Sequence, residues 1–423
     1  MKRWLVLFED AGWSALRPLT DLLPAPALAF GGSDLVTRWA LRTQSHILSC
    51  EARAGVMAAW RGAPARSTDL PASGDLVLVA NAAALPGGWL EPARAARGPA
   101  LWQVEDRIAG AQLPFGQVSA GLGRGEGFET FLRGLGLPRN EVGAKLVRWP
   151  WQLVEWNEDA LQEDLGLLEA AKHGEIHRQA ALLEESRIRV ERGARVDPHV
   201  VLDARQGPIH LAAGVIVHPQ TVVVGPCVVG AGTQLLGGLI ARSTIGPGCR
   251  LAGEIDTTIW QGWANKRHHG FVGHSVIGEW SNLGALTTTS DLKNNYGPVR
   301  VWVDGREVDS GNPKFGSLVG AHVKTGIGSL LPTGASIGTG SNLFSGGRFV
   351  PKHLPAFSWW DGERAVEHRL EDFLATAKIA LSRRGRTLEP GEEAALRALH
   401  EATTSERPAA ARAPGVATGV WPS

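Results

Sequence analysis

Three cysteines in 423 residues, Cys50, Cys227 and Cys249, are too few and too scattered for a disulfide framework or a Cys-x-x-Cys zinc site. That usage points to a reducing, cytoplasmic setting. Net charge is as scarce, +1 at pH 7, so no bulk field draws the chain to nucleic acid or to an acidic membrane. From Gln206 to Ala241 there is no Asp, Glu, Lys or Arg, a gap long enough to pass for a membrane span. Gly or Pro every few residues through it excludes a spanning helix and leaves buried sheet. The apolar run in MKRWLVLFED stops at Glu9 and Asp10, which reads as a first β-strand and not as a signal peptide.

What is present is a repeat of six. Leu211, Val217, Val223, Val229 and Leu235 each open a block such as VVGPCV or VGAGTQ. Ile245 and Leu251 form a second run, and Phe271, Ile277, Leu283 and Thr289 a third. Val319, Thr325, Leu331, Ile337, Leu343 and Phe349 form the longest. A period of six fits neither a helix nor a hairpin-bounded strand. It fits a solenoid in which each hexad gives one short strand and one corner, with the first residue inward and the following Gly making the tight turn. Three sides close a coil. This pattern resembles the hexapeptide-repeat, left-handed parallel β-helix family, and Cys227 and Cys249 sit at its small fifth position as packing residues.

Function on such a solenoid is expected where the repeat is interrupted. The step from Thr257 to Phe271 is fourteen residues where two hexads give twelve, so a bulge holding Lys266, Arg267, His268 and His269 is expected. The step from Thr289 to Val319 is thirty, and its excursion holds Tyr296, the single tyrosine.

The run NKRHHGFVGHSVIGEWSNLGA followed by NNYG resembles the acetyltransferase half of the GlmU type of bifunctional enzyme. The resemblance is closer to the GlmU-family proteins called putative sugar nucleotidyltransferases, which carry NKxHxGFxGxSVIGEWxNLGA and then LKNNY. It implies acetyl transfer from acetyl-coenzyme A to an amino-sugar phosphate or sugar nucleotide, in a homotrimer with sites between subunits. The chemistry needs a base near neutral pKa to deprotonate the amine, and imidazole offers one. By resemblance His268 is that base, Asn282, Asn295 and Tyr296 bind the sugar phosphate, and Ala285 and Ala321 lie along the acetyl-coenzyme A groove. Lys266, Arg267 and Arg300 are its phosphate partners. Phe271 replaces the family's tyrosine. His269 and His274 resemble the paired histidines of β-helix carbonic anhydrases, but Thr233 stands where a third is needed, so no metal site is expected.

Upstream, WLVLF and LVLVA read as buried strands, whereas GFETFLRGLGL and the long segment from Glu158 to Ile188 carry helical spacing. LRPLTDLLPAPAL resembles the signature of sugar-1-phosphate nucleotidyltransferases, whose Gly-rich loop cradles a triphosphate. Here one glycine, Gly12, remains; Ala15 and Ala25 stand for the family's Arg and Lys, and Ala82 for its metal-binding Asp. Arg17, beside the expected place, is a partial substitute. Nucleotidyl transfer, with Mg²⁺ only in that case, is one alternative function. A non-catalytic sugar-nucleotide-binding protein is another.

The expected organisation is a degenerate nucleotidyltransferase-like α/β domain over 1–185, a left-handed β-helix over 186–357, C-terminal helices over 358–406 and a disordered tail over 407–423. The helices, split at Pro390-Gly391, are expected to pack on a neighbouring subunit. PAFSWWDGERA is expected to cap the solenoid.

Overall fold

A computed structural model describes residues 2–96 and 98–407. The sequence expectation for the tail therefore falls, but for Arg407, outside the described residues.

WLVLF becomes the strand Trp4–Phe8, buried on both faces, and LVLVA lies in Leu76–Asn81 beside it in parallel. They sit in a six-stranded sheet with His46–Glu51 on one side and the hairpin of Ala100–Val104 and Arg107–Pro114 on the other. Helices cover the sheet, among them Leu35–Thr43, capped by the Asp34 side chain, and Pro150–Leu165. The helical reading from Glu158 to Ile188 fails after Leu165. Ala171–Lys172, Glu175–Ile176 and Ala181–Leu183 are already strands of the first coil. Gly174 shows why: a methyl there would come 2.5 Å from the Ala194 carbonyl of the next coil. The solenoid thus begins inside the segment assigned to the α/β domain.

From there the chain winds as a parallel β-solenoid with three walls. Wall A is a ladder of ten strands from Ala171–Lys172 to His353–Leu354. Wall B runs from Glu175–Ile176 to Ser358–Trp360. Wall C holds, among others, Val201–Asp203, Thr221–Val224, Phe271–Gly273 and Thr288–Thr289. Leu211, Val217, Val223, Val229 and Leu235 all point inward and are fully buried, stacking in register coil upon coil. Two inward positions differ from the count. Val272, not Phe271, stacks on Ile255, because it stands five residues before the inward Ile277 where the count assumes six; Val350 is buried at 3% exposure while Phe349 is exposed at 61%, because the step from the inward Leu343 is seven residues.

The glycine after each inward aliphatic also has a different reason from the one the hexad suggests. A methyl on Gly230 would lie 2.6 Å from the Gly246 carbonyl carbon, and one on Gly278 2.5 Å from the Ala321 nitrogen. Backbone approach between coils excludes a side chain there; the positive φ falls two residues later, at Gly232 and Gly248.

The α/β domain rests on wall A. Ile259, Val276 and Leu318 point outward from that wall and share one core with Leu28, Phe30 and Val154. The Ala29 amide donates to Gln261 Oε1 at 2.9 Å, and Thr244 Oγ1 donates to the Gly31 carbonyl at 2.7 Å. The long excursion contributes a hairpin, Arg300–Val303 with Arg306–Asp309, whose Val301 and Val303, with the preceding Val299, are buried in the same core. Much of that loop is therefore a clasp.

At the far end Leu343 pairs in register with Trp360, and the antiparallel strand Ala365–Glu367 closes the edge. The helices Leu370–Ser382 and Pro390–Ala402 follow. They pack on their own chain, contrary to the expectation of a neighbouring subunit. Phe373, Leu374 and Leu396 enclose Phe357, and Gly391 lies so close that a methyl would meet the Ala58 carbonyl at 2.4 Å. Among the described residues no helix is long and apolar enough to cross a membrane.

Candidate functional site

Lys266 is not a bulge residue. It ends the strand Asn265–Lys266 of wall B, stacks in register on Leu251 and is completely buried inside the coil. Its ammonium donates to the His268 carbonyl at 2.7 Å, and enclosure pushes its pKa down to about 8. It cannot reach a ligand phosphate; it ties the bulge down from beneath. Arg267, His268 and His269 are exposed at the corner between walls B and C. The Leu286 amide donates to the His269 carbonyl at 2.9 Å and the Glu254 amide to that of Gly270 at 3.2 Å. Gly270, at φ 130, lies where a methyl would meet the Thr287 carbonyl at 2.3 Å. The bulge backbone is thus fixed while both imidazoles face solvent.

The expected site residues divide among three corners. Asn282 points outward from wall B and accepts from Asn265 Nδ2 at 2.7 Å; Ala285 follows at the B–C corner beside the bulge. Arg267, His268, Asn282 and Ala285 therefore share one edge. Asn295 and Tyr296 do not: they lie in the excursion leaving wall C at its opposite edge, both exposed, with Asn295 Oδ1 accepting from the Gly297 amide at 3.2 Å. Arg300 is on the hairpin, 3.6 Å from Glu307. Ala321 is at the A–B corner under the C-terminal helices, so it and Ala285 do not line one groove of a single chain.

Two constellations were not read from the sequence. His274, at φ 44, occupies the corner after Phe271–Gly273, and its Nδ1 lies 2.7 Å from Asp291 Oδ2. Burial works against the Asp291 charge, but the bond and charge pairing with His274, helped by Lys314, hold it below the usual carboxylate range. The signal was available: 17 residues separate the pair, about one coil. The second is a cavity of about 40 Å³ between the α/β domain, the A–B corner and the C-terminal helices, lined among others by Leu23, Gln261, Glu279, Ala321, His322 and Leu396. Burial, with Glu392 nearby, raises the Glu279 carboxyl to about 7. Burial and Lys324 push His322 down to about 3.

In the α/β domain the loop after Trp4–Phe8 is filled from within. Arg107 donates to both Asp10 oxygens, at 2.7 and 2.8 Å, and Asn81 Nδ2 donates to Asp10 at 2.8 Å. The Arg107 guanidinium packs over Gly12, where even a methyl would meet Nη2 at 2.4 Å. Arg17 is likewise engaged, with Asp21 at 2.7 Å and Glu406 at 2.9 Å. Ala82 is buried and offers no side-chain carboxylate for Mg²⁺.

Residues 5–173 match the protein family described as sugar nucleotidyl transferase. A bifunctional sugar-1-phosphate nucleotidylyltransferase/acetyltransferase of Sulfurisphaera tokodaii is 33% identical over 93 residues, 22% of this chain and 23% of that protein. The bifunctional protein GlmU of Methanococcus vannielii is 30% identical over 125 residues, 30% of this chain and 25% of its own. That of Methanococcus aeolicus is 27% identical over 205 residues, covering 48% and 42%. The chain thus spans less than half the length of these curated relatives. A UDP-N-acetylglucosamine acyltransferase structure from Campylobacter jejuni aligns with 56% of the chain and 92% of its own at 13% identity, with a TM-score of 0.16, too low to bear on the fold. The chain is therefore similar to the nucleotidyltransferase family in its first domain and, in part, to bifunctional nucleotidyl- and acetyltransferases.

Proposed function

We propose that the solenoid transfers an acetyl group from acetyl-coenzyme A to the amine of an amino-sugar phosphate or sugar nucleotide. The observation that carries this reading is His268, held by a fixed backbone on the B–C edge with its ring free in solvent, beside Asn282 and Arg267. In the reaction the amine nitrogen attacks the thioester carbonyl carbon while His268 takes the amine proton. The tetrahedral oxyanion then collapses, the C–S bond breaks, and the coenzyme A thiolate recovers a proton. Asn282 and Arg267 bind the acceptor, and Ala285 leaves room along the edge for the donor. Lys266 is reassigned from phosphate partner to anchor of the bulge.

Asn295, Tyr296 and Arg300 sit too far around the coil to join His268 in one chain, so we place them opposite the His268 edge of a second copy. The B–C corners support a homotrimer closed on this edge: Leu286, Ile327 and Phe344 are 58%, 76% and 46% exposed on successive coils. The names of the relatives, which include nucleotidylyltransferase and acetyltransferase, agree with the chemistry. The test is release of the coenzyme A thiol with glucosamine 1-phosphate as acceptor. His268→Ala is expected to remove turnover while the thermal transition stays in place. Undiminished turnover in that variant would overturn the assignment.

A further inference from the structure

We infer that the outer surface of wall B, where it meets the end of the helix Leu370–Ser382, binds the diphosphate group of a phosphorylated ligand through Arg250, Arg267, Arg383 and Arg384. The four side chains come from three separate places in the chain and are brought to one patch by the fold. Arg250 points outward from wall B, and Asn265, its neighbour in register, stands two residues before Arg267. Gly248 precedes Arg250 by two residues, and its carbonyl accepts from Arg384 Nη1 at 3.0 Å. That bond pins the helix end, with Arg383, against the same corner.

None of the four forms an ion pair with a carboxylate among the described residues, whereas Arg242, for example, pairs with Asp256 at 2.6 Å. Burial and then the charges of Arg250, Arg383 and Arg267 all disfavour the charge on Arg384. No carboxylate is among the groups that set the Arg384 charge. Like charges held together without a counter-charge gain by taking up an anion. The planar forks favour phosphate oxygens, and four of them exceed what a single orthophosphate can use. Asn265, Asn282, Lys324 and Asn342 continue the row along the outer wall in register, none of them acidic.

This site shares Arg267 with the proposed acceptor site, but anion binding here is read without acetyl transfer and stands if that reaction fails. The experiment is calorimetric titration of the full chain with pyrophosphate, ADP, UDP and orthophosphate. Pyrophosphate and both nucleotides are expected to bind, more tightly than orthophosphate and more weakly as salt rises from about 0.05 to about 0.3 M. Arg250→Gln with Arg384→Gln is expected to weaken binding about tenfold. Arg267→Gln, on the exposed bulge, provides a second variant that leaves the wall untouched and is expected to weaken it less. His268→Ala is expected to leave it unchanged, which separates this site from the proposed base, as is Arg205→Gln after the wall C strand Val201–Asp203, where Arg205 pairs with Asp203 at 2.7 Å. Nucleotides binding while pyrophosphate does not would overturn the diphosphate assignment, as would equal affinity in the double variant and the parent protein.

Discussion

Replacing Lys266 by methionine is expected to make the solenoid more stable. The ammonium sits where every neighbouring coil places an aliphatic side chain, and its pKa falls from 10.5 to about 8. Below about pH 8 the folded and unfolded chains both carry the proton, and the folded one bears the full cost of enclosing the charge. Between pH 8 and 10.5 the unfolded chain holds a proton that the folded chain has released, so stability rises with pH across that window. At about 1.4 kcal/mol per pH unit the cost below pH 8 is about 3 kcal/mol. Methionine removes it and loses one hydrogen bond to the His268 carbonyl, worth about 1 kcal/mol. The net gain at pH 7 is then about 2 kcal/mol, in line with buried charges exchanged for apolar residues of similar size. Hydrogen exchange of peptides covering residues 265–289, with both proteins compared at the same pH, reads this locally in a chain too large for two-state unfolding. About thirtyfold slower exchange in Lys266→Met at pH 7, with little difference near pH 10, is the expected result. Equal or faster exchange at pH 7, or a difference that does not change with pH, would refute the reasoning.

Glu279 gives the opposite slope. Its raised pKa means the folded chain holds a proton between about pH 4.5 and 7 that the unfolded chain lacks, so its contribution is lost as pH rises through that window. Glu279→Gln is expected to raise the melting temperature at pH 8 and leave it unchanged near pH 4.5; an equal shift at both would count against it. The Arg107 plug predicts no Mg²⁺-dependent pyrophosphate release from UTP and a sugar 1-phosphate, and none from Arg107→Met, because Ala15, Ala25 and Ala82 supply no replacement groups; measurable release from either protein would contradict this. Leu286→Glu with Ile327→Glu is expected to yield monomers by light scattering if the B–C edge joins the copies, and an unchanged mass would exclude that edge.

The solenoid was legible because its signal is local: one aliphatic every sixth residue fixes which side faces inward. The count slipped at Phe271, where the step from Val272 to Ile277 is five residues, and at Phe349, where the step from Leu343 to Val350 is seven; a shift of one turns a strand over. A lysine in the series, Lys266, read as surface because residue type was weighed above position. For the first domain, strands were legible as continuous apolar runs. The Asp10–Arg107 pair was not, since 97 residues separate its members and nothing in either segment names the other. The same holds for the C-terminal helices, whose apolar faces were visible but whose partner could have been a second subunit as readily as Phe357 and Ala58. Site residues were assigned by resemblance along the chain, yet the coil sends Asn282 and Asn295 to different edges.

The domain resting on wall A has a bearing on assembly. A three-sided prism usually offers three equivalent flanks to its copies, but here one flank is permanently taken by the chain's own first domain through Ile259, Val276 and Leu318. That domain therefore works as a spacer: it fixes which edges can meet and how far apart neighbouring axes stand, whether or not it has any chemistry left.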